Sequence, residues 1–138
     1  MSEILVDYFV AAKNNAESIW QNSILVPVPM EKQKQKNRGY NQAEELAKEL
    51  SKIVQAPVVL NNLVKVKETE SQIKLSAEQR RKNLKGAFSL KDPEAISGKK
   101  VFLIDDVYTT GSTMEECANV LRTARTKSVW GIVVAREG

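Results

Sequence analysis

Apolar and polar positions alternate along this chain in two rhythms, short continuous runs and helical spacing. NSILVPVP (22–29) is a brief run of Ile, Leu and Val closed by prolines, which predicts a buried strand. NQAEELAKELSKIV (41–54) sets Ala43, Leu46, Ala47, Leu50, Ile53 and Val54 at helical spacing, with Glu44 and Lys48 as an i,i+4 pair. APVVL (56–60) reads as the next strand, and LVKVK (63–67) alternates as a half-exposed strand does. ETESQIKLSAEQRRKN (68–83) is polar with weak periodicity, and a loop, a helix and a segment ordered by ligand all stay open. GAFSL (86–90) reads as a strand and KDPEAISGK (91–99) as turns. KVFLID (100–105) is the clearest strand, a continuous apolar run after Gly98. STMEECANVLRTAR (112–125) is the clearest helix, with Cys117, Val120, Leu121 and Ala124 as its apolar stripe, and SVWGIVVA (128–135) is the last strand. The first twenty residues predict an amphipathic helix, and Trp20 and Trp130 fall in apolar patterns that place both in the core. The alternation predicts one α/β domain over 1–138, a central and mainly parallel sheet flanked by helices, with no repeat or linker.

Composition narrows the chemistry. No apolar run nears the roughly 18–20 residues that cross a membrane. Glu3 and Asp7 stand where a signal peptide carries positive charge, so the expectation is a cytoplasmic protein. There is one cysteine, Cys117, and no histidine, which excludes within these residues a disulfide framework, a Cys/His zinc site and a Ser-His-Asp triad. Cys117 reads as a packed residue, and a metal would be hard and oxygen-bound, pointing to Mg²⁺. The net charge of +4 is unevenly placed: EKQKQKNR (31–38) carries four positive charges against one negative, and residues 65–85 carry seven against three. Most of these lysines read as solvated faces, Lys32, Lys34 and Lys36 among them, with an electropositive cleft for polyphosphate or nucleic acid as the sharper alternative.

The stretch VFLIDDVYTTGST (101–113) stands apart. Ligands of open α/β sheets bind beyond the C-terminal ends of the strands, where Asp105 and Asp106 fall. Thr109, Thr110, Gly111, Ser112 and Thr113 then lead into a helix whose free N–H groups and hydroxyls suit a terminal phosphate monoester. Neither a Walker A loop nor a dinucleotide fingerprint is present. A strand ending in turn-forming Asp before a Thr cap is the ordinary structural alternative, but two acids with the whole hydroxyl run favour a ligand. Carboxylates beside a phosphate cradle can accept hydrogen bonds from ribose hydroxyls, so the expected ligand is a sugar 5′-phosphate.

This stretch resembles the phosphoribosyl-pyrophosphate (PRPP) motif of type I phosphoribosyltransferases. Together with LVPVP, NRGYNQAEELAKEL, ETESQIKLSAEQRRKNLKGAF and VVAR, in the family's order over about residues 25–136, the chain is similar to the ComF/GntX-like, amidophosphoribosyltransferase-like branch. The resemblance implies that Asp105 and Asp106 hold the ribose hydroxyls, and that the loop from Val107 through Thr109, Thr110, Gly111, Ser112 and Thr113 cradles the 5′-phosphate. It implies that the loop Val28–Arg38 faces pyrophosphate, with Arg38 its foremost basic residue, and that 67–83 matches the mobile catalytic loop. Thr69, Gln72, Arg80, Arg81 and Asn83 match recurring positions of that loop, and Arg80 and Arg81 join the two acids as catalytic candidates. Tyr40 and Tyr108 flank the site, as stacking or packing residues. The implied reaction is Mg²⁺-dependent transfer of a phosphoribosyl group to an acceptor, with pyrophosphate release through a cationic transition state that needs no strong nucleophile. Metal contact from the protein would run at most from Asp105 and Asp106 through water.

The cysteine-rich zinc module with which members of this branch often begin is absent from these residues, and only 1–21 or 55–70 could supply a hood over the acceptor. A PRPP sensor without catalysis, or a protein handling single-stranded DNA in natural competence, is the alternative function. The partners these readings imply are PRPP, an acceptor, single-stranded DNA and a second copy of the chain, with no insertion into a membrane.

Overall fold

The computed structural model describes residues 20–30, 39, 41–66, 76, 78, 79, 82, 85–105 and 112–133. In chain order these form β1 (Ser23–Pro27), α1 (Gln42–Val54), β2 (Leu63–Lys65), β3 (Phe88–Leu90), a 3-10 helix (Pro93–Ile96), β4 (Lys100–Asp105), α2 (Ser112–Arg122) and β5 (Ser128–Val133). The main sheet runs β1-β4-β5, every pair parallel, with Ser23 opposite Lys100 and Lys100 opposite Ser128. Residues 57–59 follow the outer edge of β1: Leu25 N–H donates to Pro57 O at 2.9 Å and Val59 N–H to Leu25 O at 2.9 Å. The strand expected at 56–60 is thus reduced to one parallel bridge, Val58 to Leu25. β2 and β3 pair antiparallel in a separate ribbon.

β4 reads as unbroken apolar sequence because both faces of the sheet are covered. Leu25, Phe102, Ile104 and Ile132 face α1 and pack with Ala47, Leu50, Val54 and Trp20, whose ring lies 4.5 Å from that of Phe102. Ile24, Val26, Val101 and Leu103 face the other way, onto Cys117 and Leu121 of α2 and onto the ribbon through Leu63 and Phe88.

The helix ends are written in the chain. Asn41 caps α1: its Oδ1 accepts from Ala43 N–H at 3.0 Å while its Nδ2 donates to Val28 O at 3.2 Å. One buried side chain therefore starts the helix and ties it to the exit of β1. The expected Glu44–Lys48 pair forms at 3.7 Å, with Glu45 also 3.9 Å from Lys48. α2 ends at Arg122 rather than 125, because Thr123, Ala124 and Arg125 donate to carbonyls three residues back, the tightening common at helix termini.

Trp20 is core, but Trp130 is 60 % exposed, against expectation. β5 is an edge strand and α1 packs mainly over β1 and β4, so the α1-side face of β5 is buried at Ile132 and open at Trp130. The amphipathic helix expected at the N-terminus lies outside the described residues except for Trp20.

Candidate functional site

The parallel register brings the exits of β1 and β4 side by side: Pro27 sits opposite Ile104, and Val28 N–H donates to Ile104 O at 2.8 Å. Asp105 is the last residue of β4, half-buried and opposite Val133. α2 begins at Ser112, and Thr113 in its first turn is half-buried. The end of the central strand and the start of the following helix therefore bracket the loop expected to take phosphate. Asp105, the backbone of Ser112 and Thr113 are the candidates described. Asp106, Val107, Thr109, Thr110, Gly111, Arg38, Arg80 and Arg81 lie outside the described residues, as do Lys32, Lys34, Lys36, Tyr40, Thr69, Gln72, Asn83 and Tyr108.

The ribbon brings a second element to this end. Lys65 pairs with Phe88, and Val66 N–H donates to Ala87 O at 2.7 Å, so the segment between them leaves and re-enters at neighbouring points. β3 packs against α2, and Gly86 N–H donates to Glu116 Oε1 at 3.4 Å. Within the segment, Ser76 and Gln79 cap each other's backbone: Ser76 N–H to Gln79 Oε1 at 3.0 Å, Gln79 N–H to Ser76 Oγ at 3.2 Å. That is a capping box, and Glu78, Gln79 and Lys82 are helical, with Lys82 and Glu78 paired at 3.7 Å. The described part of 68–83 is thus a helix start, which the letters SAEQ encode.

Cys117 reports how close these parts lie. It is fully buried in α2, and burial first, then the carboxylates of Asp105 and Glu116, push its thiol far above the ordinary range, while Lys65 pulls it down. Asp105 and Lys65 therefore both act on the thiol, with opposite sign. Lys65 is half-buried and also lines a cleft of about 120 Å³ with Pro29, Met30, Asn41, Asn61 and Leu63, beside the exit of β1. Lys65 and Asn41 are the residues that pattern reasoning did not single out for the site. Lys65 hides in an alternating strand, and only the ribbon's pairing brings it to the cleft beside the exit of β1.

Among the described residues no group of three or more acidic or cysteine side chains could hold a metal ion. Adjacent carboxylates at a strand end, hard oxygen donors, suit a hydrated Mg²⁺ that brings its remaining ligands with a polyphosphate.

A phosphoribosyl transferase domain model matches residues 35–138. The chain belongs to the phosphoribosyltransferase family. It is 45% identical over 115 residues to competence protein F of Haemophilus influenzae, covering 80% of this chain and 50% of that protein. It is 36% identical over 108 residues to DNA utilization protein YhgH of Escherichia coli O157:H7, covering 77% and 47%. With competence protein ComFC of Bacillus subtilis it shares 35% over 99 residues, 71% and 38%. The chain spans about half the length of the curated relatives it matches, or less. Among solved structures, the fold is similar to a hypoxanthine phosphoribosyltransferase from Staphylococcus aureus, with TM-score 0.54, 11% identity, and 95% of this chain and 62% of that one covered. It is also similar to the glutamine PRPP amidotransferase of B. subtilis, with TM-score 0.55, 18% identity, and 91% and 26% covered. The type I phosphoribosyltransferase fold and the competence-protein-F branch are both as the motifs imply.

Proposed function

We propose that this phosphoribosyltransferase-family chain binds PRPP with Mg²⁺ and transfers its phosphoribosyl group to an acceptor, releasing pyrophosphate. The observation that carries the reading is Asp105, a half-buried carboxylate that ends the central parallel strand, with the next helix, α2, beginning at Ser112. In this reading Asp105 and Asp106 accept hydrogen bonds from the ribose 2′- and 3′-hydroxyls, and residues 109–113 hold the 5′-phosphate. As the C1–oxygen bond breaks, positive charge grows on the ribose and negative charge on the leaving pyrophosphate. Arg38, Arg80 and Arg81 stabilise the latter, and nearby carboxylates tolerate the former. Asp105 and Asp106 would hold Mg²⁺ through water, and the ion would supply charge neutralisation for the pyrophosphate oxygens. In this reading the activity is cytoplasmic.

Titration calorimetry with PRPP, with and without Mg²⁺, tests the site on the wild type and on Asp105→Asn/Asp106→Asn. The expected result is Mg²⁺-dependent binding that the double variant loses. Equal binding by both proteins would move the ligand away from the strand end. The names of the relatives, competence and DNA utilization, favour a second reading, in which a PRPP-binding chain serves DNA handling without turnover. Pyrophosphate release across an acceptor screen separates the two.

A further inference from the structure

The face of the sheet that α1 covers is only half closed. α1 lies over β1 and β4, while α2 closes the opposite face of β5, with Met114 against Gly131. Register sets Phe102 beside Trp130 and Ile104 beside Ile132, so these four side chains share the α1 face. Phe102, Ile104 and Ile132 are buried there, and Trp130 is 60 % exposed. The indole Nε1–H donates to Ser128 Oγ at 3.3 Å, so the polar atom of the ring has a local partner and what stays open is apolar. Packed helices lie about 8–10 Å apart and neighbouring strands about 4.8 Å, so the next helix beside α1 would sit over β5.

The chain ahead of β1 heads there. Trp20 is helical, and the helix stops just after it: Asn22 has a left-handed backbone, φ 57°, and Ser23 Oγ donates to Trp20 O. This turn is tied to the start of β4. Lys100 N–H donates to Asn22 O at 3.1 Å, Asn22 Nδ2 to Gly98 O at 3.3 Å, and Lys99 Nζ to Asn22 Oδ1 at 3.0 Å. The Trp20 ring lies 4.5 Å from that of Phe102, the cross-strand neighbour of Trp130. The helix that ends at Trp20 therefore crosses from β1 over β4, one strand short of Trp130. The sequence before Trp20 suits the gap. On a helix Leu5, Phe9, Ala12, Ala16 and Trp20 fall on one face, at i, i+4, i+7, i+11 and i+15, with Asp7, Asn14 and Ser18 on the other. β4 spans about 16 Å, the length of about 11 helical residues, so residues 9–19 match it end to end. Ala12 and Ala16, the small members of the stripe, leave room for an indole beneath them.

We propose that residues 1–19 dock as a helix on the α1 side of β5, beside α1, and bury Trp130 under Ala12 and Ala16. A helix that ends at the start of β1 begins at the Asp105 end of the sheet. Residues 9–19 are then core, and only residues 1–8 are left to reach over a ligand at that end. The inference stands on the packing of the sheet and is independent of PRPP binding.

The test is cross-linking of the full chain with a short bifunctional thiol reagent, in a Cys117→Ala background that leaves no other thiol. Trp130→Cys combined with Ala16→Cys, and separately with Ala12→Cys, should give one bridge within one chain by intact mass. Trp130→Cys combined with Asn14→Cys, on the polar side of the helix, should bridge far more slowly. Melting curves show that each untreated variant is folded. A second measurement uses Trp20→Phe, which keeps a ring on Phe102 and leaves Trp130 as the one tryptophan. Iodide should quench Trp130 severalfold less in the native chain than in urea, and Ala16→Asp in the same protein should raise the native quenching. Failure of both alanine positions to bridge in folded protein overturns the proposal, as does equal bridging at Asn14, which would mean an undocked segment. Bridges that join two chains would give the face to a second copy instead. Native quenching as strong as in urea would overturn it as well.

Discussion

Cys117 shows how a single side chain can sit beside a candidate ligand site and be unsuited to its chemistry. The thiol is fully buried, and both burial and the neighbouring carboxylates of Asp105 and Glu116 favour the neutral form over the thiolate. Only Lys65 opposes them. A thiol held neutral is neither nucleophile nor metal ligand, so Cys117 acts as a small core residue in the middle of α2. The consequence for stability has a definite sign. The unfolded chain gives up this proton near its ordinary value of 9.0, while the folded chain keeps it well beyond. Below that value both states are protonated and the fold keeps its full stability; above it the unfolded state is favoured progressively. Thermal melts from about pH 8 to about pH 10 should therefore show a larger fall for the wild type than for Cys117→Ala. A thiol reagent should label the native chain only once denaturant is added. Parallel falls in the two proteins, or rapid labelling of the native chain, would contradict this account.

At the scale of elements, the ribbon holds the two ends of segment 67–86 together and packs against α2. Its anchor is Asn62, buried at the entrance to β2. Asn62 Nδ2 donates to Asp92 O at 2.8 Å, Asp92 N–H returns to Asn62 Oδ1 at 2.8 Å, and Lys91 N–H donates to Asn62 O at 2.9 Å. Asn62→Ala leaves the Asp92 N–H without its partner and the Asp92 carbonyl with Ala95 N–H alone, so stability should fall by about 1–3 kcal/mol, read as a lower urea midpoint at constant slope. An unchanged midpoint would mean that water replaces the amide at no cost. The ribbon also marks where sequence reading stops. β4 is plain in KVFLID because a strand covered on both faces must be apolar throughout, and α1 is plain because its stripe and its Asn41 cap are local. Pairing of Lys65 with Phe88 is not local: a polar segment intervenes, and nothing in its period says that its ends meet. Trp130 fails for a similar reason, since an apolar residue on an edge strand is core or surface according to which helix crosses it. The Ser76–Gln79 box, by contrast, is local and legible, and weak periodicity around it masks the signal. Asp105 and Thr113 fall where the motif places them, because a strand end and a helix start are themselves local features.

For the whole molecule, the binding and catalytic readings separate in the quantity each one moves. A ligand that binds only the folded chain stabilises it by mass action, whatever it does afterwards. At a hundred times its dissociation constant that amounts to about 2.7 kcal/mol, which for a single domain of this size raises the melting temperature by on the order of 10 °C. PRPP with Mg²⁺ should produce such a shift in the wild type, and PRPP without Mg²⁺ a smaller one, because the Mg²⁺ brought with the ligand offsets the repulsion between pyrophosphate and the two acids. Asp105→Asn/Asp106→Asn should lose the shift while melting near the wild-type temperature in buffer, since an acid at a strand end contributes to the ligand's hold more than to the core. Inorganic pyrophosphate, which lacks the ribose hydroxyls, should discriminate less between the two proteins than PRPP does. Were the double variant to keep the full PRPP shift, the ribose would not be held at the end of β4, and the loop before α2 would be a phosphate cradle alone.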